Sequence, residues 1–136
     1  MDYFVTGATG FIGKRLVKKL LERKGSTVYF LVRAQSADKV ADLHAPWGLN
    51  TAKAQSRAVP LHGDLTAKKL GVSAADIKRL KGNIAHLHHL AAVYDLSADE
   101  ESQMAVNIDG TRHMVEFAQA IEAGHVHHVS SIAAAG

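Results

Sequence analysis

The sequence predicts a doubly wound α/β sheet, with parallel strands in the middle and helices on both faces. Three observations predict it. Short apolar runs alternate with helical patterns along all 136 residues, the first run leads straight into a glycine-rich turn, and capping or stopping residues mark the helix ends.

Each element follows in order. A strand over 2–6 enters directly after Met1 and ends in "TGATGFIG", Thr6 to Gly13, where Gly7, Gly10 and Gly13 recur every third residue. The spacing then predicts a helix over 11–24, with Phe11, Ile12, Leu16, Val17, Leu20 and Leu21 turned inward. Lys14, Arg15, Lys18, Lys19, Arg23 and Lys24 take the outer face, and Gly25 sits just past the end. A strand over 27–33 and a short helix over 36–44 follow. The stretch "HAPWGLNTAKAQ" reads as irregular. Next come a strand over 57–62, a helix over 73–81, a strand over 84–90, a helix over 98–123 and a strand over 126–131. Ser73 with Asp76, and Ser97 with Glu100, have capping-box spacing, and Gly82 closes the helix over 73–81. No repeat or linker interrupts the pattern, so residues 1–136 form one unit.

Composition removes several function classes. Hydrophobic residues at 47% and charged residues at 21% describe a globular domain long enough to bury a core. The absence of cysteine excludes disulfides, thiolate metal sites and cysteine nucleophiles within the stretch. Neither a signal-peptide pattern nor an apolar run of membrane-spanning length is found, so a cytoplasmic location is expected. The formal charge of +3 concentrates on the first helix without interleaved aromatic residues, which describes a solvated face and sets nucleic acid aside. The helix over 98–123 carries Met104, Val106, Ile108, Met114, Val115, Phe117 and Ile121, broad enough to cover a sheet and to offer a homodimer contact.

The glycine turn is where chemistry enters. Glycines marking a turn are common, but these lie between a strand and an amphipathic helix, where unpaired N–H groups and the helix dipole would meet a pyrophosphate. That context predicts a Rossmann-type dinucleotide site, with Thr9, Phe11 and Ile12 lending backbone groups beside Gly7, Gly10 and Gly13. Cofactor choice is read about 20 residues further on. There the second strand, "TVYFLVRAQS", ends in Arg33 with no carboxylate beside it. An arginine accepts a 2'-phosphate, so NADP(H) is expected over NAD(H). Lys39 reads as a solvated lysine.

These motifs resemble the short-chain dehydrogenase/reductase superfamily, extended branch. "TGATGFIG", "HGDL", "HLAA", "NIDGT" and "VSSIAAAG" carry the resemblance along the whole chain. It implies that Asp64 and Leu65 border the adenine, and that Ala91, Ala92 and Val93 lie along the cofactor toward the nicotinamide. It also implies that Asn107 supports the active site. "LVRAQSADKV", "GDLTAKKLGVS" and "HLAAVYDL" look more like the thioester-reducing group, which includes bacterial fatty acyl-CoA reductases, than like sugar-nucleotide epimerases.

A serine at the end of a central strand can donate a hydrogen bond to a carbonyl that gains negative charge during hydride transfer. The resemblance places that role on Ser131, with Ser130 beside it in the cofactor pocket. The family's proton-donating tyrosine, followed four residues later by lysine, has no counterpart here. Tyr3, Tyr29 and Tyr94 are followed at that spacing by Gly7, Arg33 and Ala98. The chain is therefore expected to be the NADPH-binding front portion of a longer oxidoreductase acting on acyl thioesters, inactive as it stands. A nucleotide-sugar epimerase or dehydratase, and a non-catalytic NADP(H)-binding regulatory protein, stay open as alternatives.

The histidines of "HLHH" (86–89) and "HVHH" (125–128) suggest metal ligands. Alternation along a strand keeps either cluster from placing all its rings on one face, although neighbouring strands could align one from each. Without carboxylate or cysteine partners, rim or core packing is the expected role and no metal is assigned.

Overall fold

The computed structural model describes residues 1–8, 11–33, 40–64, 67–90 and 100–128, with the side chains of 11, 100–107, 109 and 128 left aside. Five strands form one sheet: β1 (Asp2–Thr6), β2 (Thr27–Val32), β3 (Ala58–His62), β4 (Ile84–His89) and β5 (His125–His128). All pairings are parallel and the order is β3-β2-β1-β4-β5. Between the strands run α1 (Phe11–Leu21), α2 (Ala41–His44), α3 (Ala52–Gln55), α4 (Ala74–Leu80) and α5 (Glu100–Ala120). This is the doubly wound Rossmann arrangement that the alternation predicts.

A parallel sheet buries both faces, so its strands are apolar on both sides. One face carries Tyr3, Val5, Val28, Phe30 and Val32 against Val17, Leu20 and Leu21 of α1. Trp47 packs into the same core, edge-on to Phe30, and its indole N–H donates to the Lys14 carbonyl at 3.0 Å. The other face carries Phe4, Leu31, Leu61 and Leu87 against Met114, Phe117, Ala118 and Ile121 of α5. The rings of Phe4 and Phe117 lie 4.7 Å apart.

Several expectations are corrected. Ile12, expected to point inward, is 61% exposed. The seam of α1 runs through Gly13, Val17, Leu20 and Leu21, and a residue one step from Gly13 lies about 100° round the helix. The stretch expected to be irregular contains α3, whose N-cap Thr51 accepts from the Ala54 N–H at 3.1 Å. The short second helix is one turn, Ala41–His44, while 36–39 lie outside the described residues. On α5, Ile108 and Val115 are exposed, so its sheet-covering stripe is narrower than the apolar count suggests. Ser97, and residues 129–131 of the last predicted strand, lie outside the described residues.

Helix α1 ends at Leu21 rather than at 24, and the reason is a carbonyl trap. The Ser26 hydroxyl donates to the carbonyls of Leu20 and Arg23, both at 2.7 Å. From the start of β3, the Arg57 guanidinium donates to the carbonyls of Leu21 at 2.6 Å, Arg23 at 2.8 Å and Ser26 at 3.0 Å. These side chains thus join the backbone N–H groups of Glu22 and Arg23 in satisfying the last-turn carbonyls of α1, and the chain turns through Gly25, at φ 75°, into β2. Arg57→Met keeps the apolar stem and removes these bonds. It is expected to lower stability by roughly 1.5–3 kcal/mol, read as a shifted urea midpoint, whereas Lys53→Met on exposed α3 should leave the midpoint in place.

Candidate nucleotide-binding site

The strand order places a topological switch point between β1 and β4, since the chain runs outward from β1 through β2 to β3 and then crosses to β4. The carboxyl ends of β1, β2, β3 and β4 share one edge. Gly7, Arg33, Gly63 with Asp64, and Leu90 leave the sheet there, tied by bonds from the Gly63 N–H to Val32 O at 3.0 Å and from the Leu90 N–H to Thr6 O at 3.1 Å.

Gly7 turns the chain out of β1 with φ 80°, a conformation that glycine alone adopts readily. Gly13 faces it from the first turns of α1. A Cβ added at Gly13 would run into the Gly7 carbonyl oxygen and stand 2.7 Å from its carbon and 2.9 Å from Ala8 Cα. The third glycine therefore permits contact between helix and strand and brings the start of α1 to the carboxyl end of β1. No acidic residue occupies the first turn of α1, while Lys18 and Lys19 occupy the last. The N-terminal end keeps its positive potential for an anion, and the lysines complement the opposite pole.

Beneath the turn, two buried side chains join the strands. Thr6 Oγ1 lies 2.7 Å from His89 Nδ1 and accepts the Leu90 N–H at 3.2 Å. Both residues are at most 2% exposed. The hydroxyl thus joins the ends of β1 and β4, and the tautomer of His89 sets which partner donates in the 2.7 Å contact. This pair forms the floor of the crevice and was not singled out by sequence reasoning. The available signal was a polar residue closing each of the two strands that flank the switch point.

At the β3 end, Asp64 is held by its backbone. Its N–H donates to Leu70 O at 2.7 Å and its carbonyl accepts from Ala67 at 3.1 Å. The turn Lys68–Gly71 that supplies Leu70 holds Lys69 and Leu70 in the left-handed region, with φ 52° and 59°. Leu70 is fully buried, and a Cβ on Gly63 would collide with its carbonyl oxygen. Arg33 follows the last residue of β2 and is exposed at the crevice edge. Thus Gly7, Ile12, Gly13, Arg33 and Asp64 gather at one edge, together with the backbone of Phe11. Thr9, Gly10, Leu65, Ala91, Ala92, Val93, Ser130 and Ser131 lie outside the described residues, as does the side chain of Asn107, whose backbone belongs to α5.

The two histidine clusters divide as alternation requires. His89 faces the crevice floor, while His86 and His88 of β4 stack with His125 and His127 of β5 on the opposite face, beside Tyr3. The pKa of His88 is lowered to about 4, first by burial and then by His127 and His86. That of His86 is lowered by burial, then by His125, His127 and Arg23.

A parallel sheet in this order, with Gly7 and Gly13 bringing α1 against β1 at its switch point, is the doubly wound arrangement that holds nucleotides at the carboxyl ends of its strands. Residues 5–136 match the NAD-binding family described as "Male sterility protein", and the chain belongs to that family. It is 34% identical over 133 residues to a Drosophila melanogaster protein provisionally described as a fatty acyl-CoA reductase, covering 89% of this chain and 26% of that protein. A linear gramicidin synthase of Brevibacillus parabrevis is 31% identical over 135 residues, with 94% of this chain and 3% of that protein covered. Among solved structures, the terminal R domain of the myxalamid PKS-NRPS pathway superposes with a TM-score of 0.78 at 29% identity, covering 96% of this chain and 34% of that one. Candida albicans Gre2, crystallised with NADPH, superposes with a TM-score of 0.73 at 25% identity, covering 98% and 38%. The chain spans between a thirtieth and a little over a third of these relatives. Among the described residues no helix is long and apolar enough to cross a membrane.

Two outcomes are expected. Gly13→Ala should lower stability by roughly 1–3 kcal/mol through overpacking and weaken NADPH and NADH alike, because the helix end must retreat; denaturation and cofactor titration on one sample measure both. Stability should also depend on pH through the stacked histidines. Below about 6.5, the ordinary histidine value, the unfolded chain takes up protons that folded His88 and His86 resist. Folded stability therefore falls as pH drops from about 6.5 toward the folded His88 value of about 4, and the effect of these groups is absent above neutrality. Urea midpoints in a chelating buffer at pH 7.5, 6 and 5 should show the decline, and His88→Gln should flatten it.

Proposed function

We propose that this chain is the NADPH-binding front portion of a longer reductase that reduces fatty acyl thioesters by hydride transfer. The observation that carries the cofactor choice is Arg33, exposed directly after β2 at the crevice edge with Val32 before it. A guanidinium at that point pairs with a 2'-phosphate through two charge-assisted bonds, while a ribose hydroxyl would call for a carboxylate. Gly7, Thr9, Gly10, Phe11, Ile12 and Gly13 cradle the pyrophosphate. Asp64 and Leu65 border the adenine, and Ala91, Ala92, Val93, Asn107 and Ser130 line the path to the nicotinamide. When bound, the cofactor supplies the hydride; Ser131 donates a hydrogen bond to the carbonyl oxygen as charge develops on it.

The thioester substrate is inferred from kinship with a fatty acyl-CoA reductase relative and with synthetase R domains. That those relatives are about three to four times longer, or more, supports a substrate region and the proton-donating tyrosine and lysine lying in further chain. Arg33→Ala is expected to weaken NADPH by about tenfold or more, corresponding to roughly 1.5–3 kcal/mol, while NADH changes little. Titrating both cofactors against both proteins by fluorescence decides it. Equal losses, or a wild type that prefers NADH, would refute the NADP assignment and leave the glycine turn untouched.

A further inference from the structure

The register in which β1 and β4 meet changes along their length. Asp2 stands beside Ile84, whereas Tyr3, Phe4, Val5 and Thr6 stand beside His86, Leu87, His88 and His89, so Ala85 is an extra residue on β4. Two offsets are thus open to this pair of strands. Alternating apolar residues ordinarily fix such a choice. The end of β4 reads "HLHH" and offers one apolar anchor, Leu87, which shares the α5-side core with Phe4.

We propose that His89 is a positioning residue of the nucleotide site: through Thr6 it locks β1 and β4 in the register that brings Gly7 and Leu90 level at the carboxyl edge. The lock rests on the nucleotide-binding reading of that edge. The offset that sets Thr6 beside His89 lets their side chains meet, Oγ1 to Nδ1 at 2.7 Å, where both residues are at most 2% exposed. The Leu90 N–H then reaches both oxygens of Thr6, the carbonyl at 3.1 Å and the hydroxyl at 3.2 Å. Continuing the Asp2–Ile84 offset would set Thr6 beside His88, whose ring stacks with His127 on the opposite face, and the hydroxyl would lose the imidazole of His89. Breaking a buried polar contact is costly, so the contact selects the register.

A dinucleotide laid across the switch point runs from the turn after β1 to the end of β4, so it reads the height of one strand end against the other. A slip of one residue moves a strand end by about 3.3 Å, more than a hydrogen bond to the cofactor tolerates. The adenosine half depends instead on Gly7, Arg33 and Asp64, which follow β1, β2 and β3. Those three strands keep one offset along each pairing. Loss of the lock therefore separates the two halves of the cofactor: the nicotinamide side suffers and the adenosine side does not.

The test titrates NADPH and adenosine 2',5'-bisphosphate by calorimetry against the wild type, Thr6→Val, His89→Leu, their double variant, Thr6→Ser and His89→Asn. Thr6→Val and His89→Leu should each weaken NADPH by about tenfold, and the double variant by no more than the larger single loss. Thr6→Ser and His89→Asn keep a polar atom at the contact and should recover most of the affinity. The bisphosphate should change by less than about twofold throughout. On the wild type, the Leu90 amide should exchange with deuterium as slowly as the interior ladder amides of β4, a readout that needs no variant to fold. Unchanged NADPH affinity in a folded Thr6→Val or His89→Leu, no recovery in Thr6→Ser, equal losses for NADPH and the bisphosphate, or a Leu90 amide that exchanges like a frayed strand end would each overturn the lock alone. A wild type that fails to bind the bisphosphate would overturn the nucleotide reading of the edge, and the lock with it.

Discussion

The crevice depends on how closely α1 can approach β1. That distance is set where Gly13 meets the Gly7 carbonyl, a contact with no room for a single methyl group. With the two backbones touching, the start of α1 and its dipole reach the same edge as the strand ends. Any larger residue at Gly13 lifts the helix away from that edge. The absence of a carboxylate in the first turn of α1 belongs to the same constraint, since a side chain there would compete for the same N–H groups.

Strain is placed with similar economy at the far side of the crevice. Lys69 and Leu70 adopt left-handed conformations that cost roughly 1–2 kcal/mol per residue, yet the turn persists. Leu70 is fully buried, its carbonyl takes the Asp64 N–H, and Gly63 leaves room for that carbonyl. Burial of one leucine offsets the backbone cost and fixes the direction in which Asp64 leaves β3. Between these two devices, Thr6 and His89 bind the central strands through a buried polar contact. It is satisfied on both sides, so it specifies the geometry of the floor without leaving an unpaired group in the core.

The two sheet faces are filled by different means. Opposite α5, apolar side chains interdigitate with Phe117 and Met114. On the α1 side the apolar core covers β1 and β2, while β4 and β5 present stacked imidazoles. Flat rings pack on a sheet almost as aromatic residues do. They also keep polar nitrogen atoms on that face, and His86 and His127 meet through theirs at 2.9 Å.

Much of the fold was legible in the chain. Every strand and the main helices follow from periodicity, because a parallel sheet covered on both faces demands continuous apolar runs and crossover helices demand an amphipathic stripe. The places of Gly7, Gly13 and Arg33 were readable because their signal is local: glycines between a strand and a helix, and a cation where a strand ends. The Thr6–His89 floor was not readable, since 83 residues separate the partners and only strand order makes them neighbours. The end of α1 at Leu21 depended on Arg57, and the outward turn of Ile12 on Gly13 taking the inner seam. The histidine ladder shows the division most clearly. Sequence determined that alternate rings share a face, because side chains alternate along any strand. Tertiary structure alone decided that two such strands lie side by side in register, because pairing between distant segments is chosen by the packing of the whole sheet.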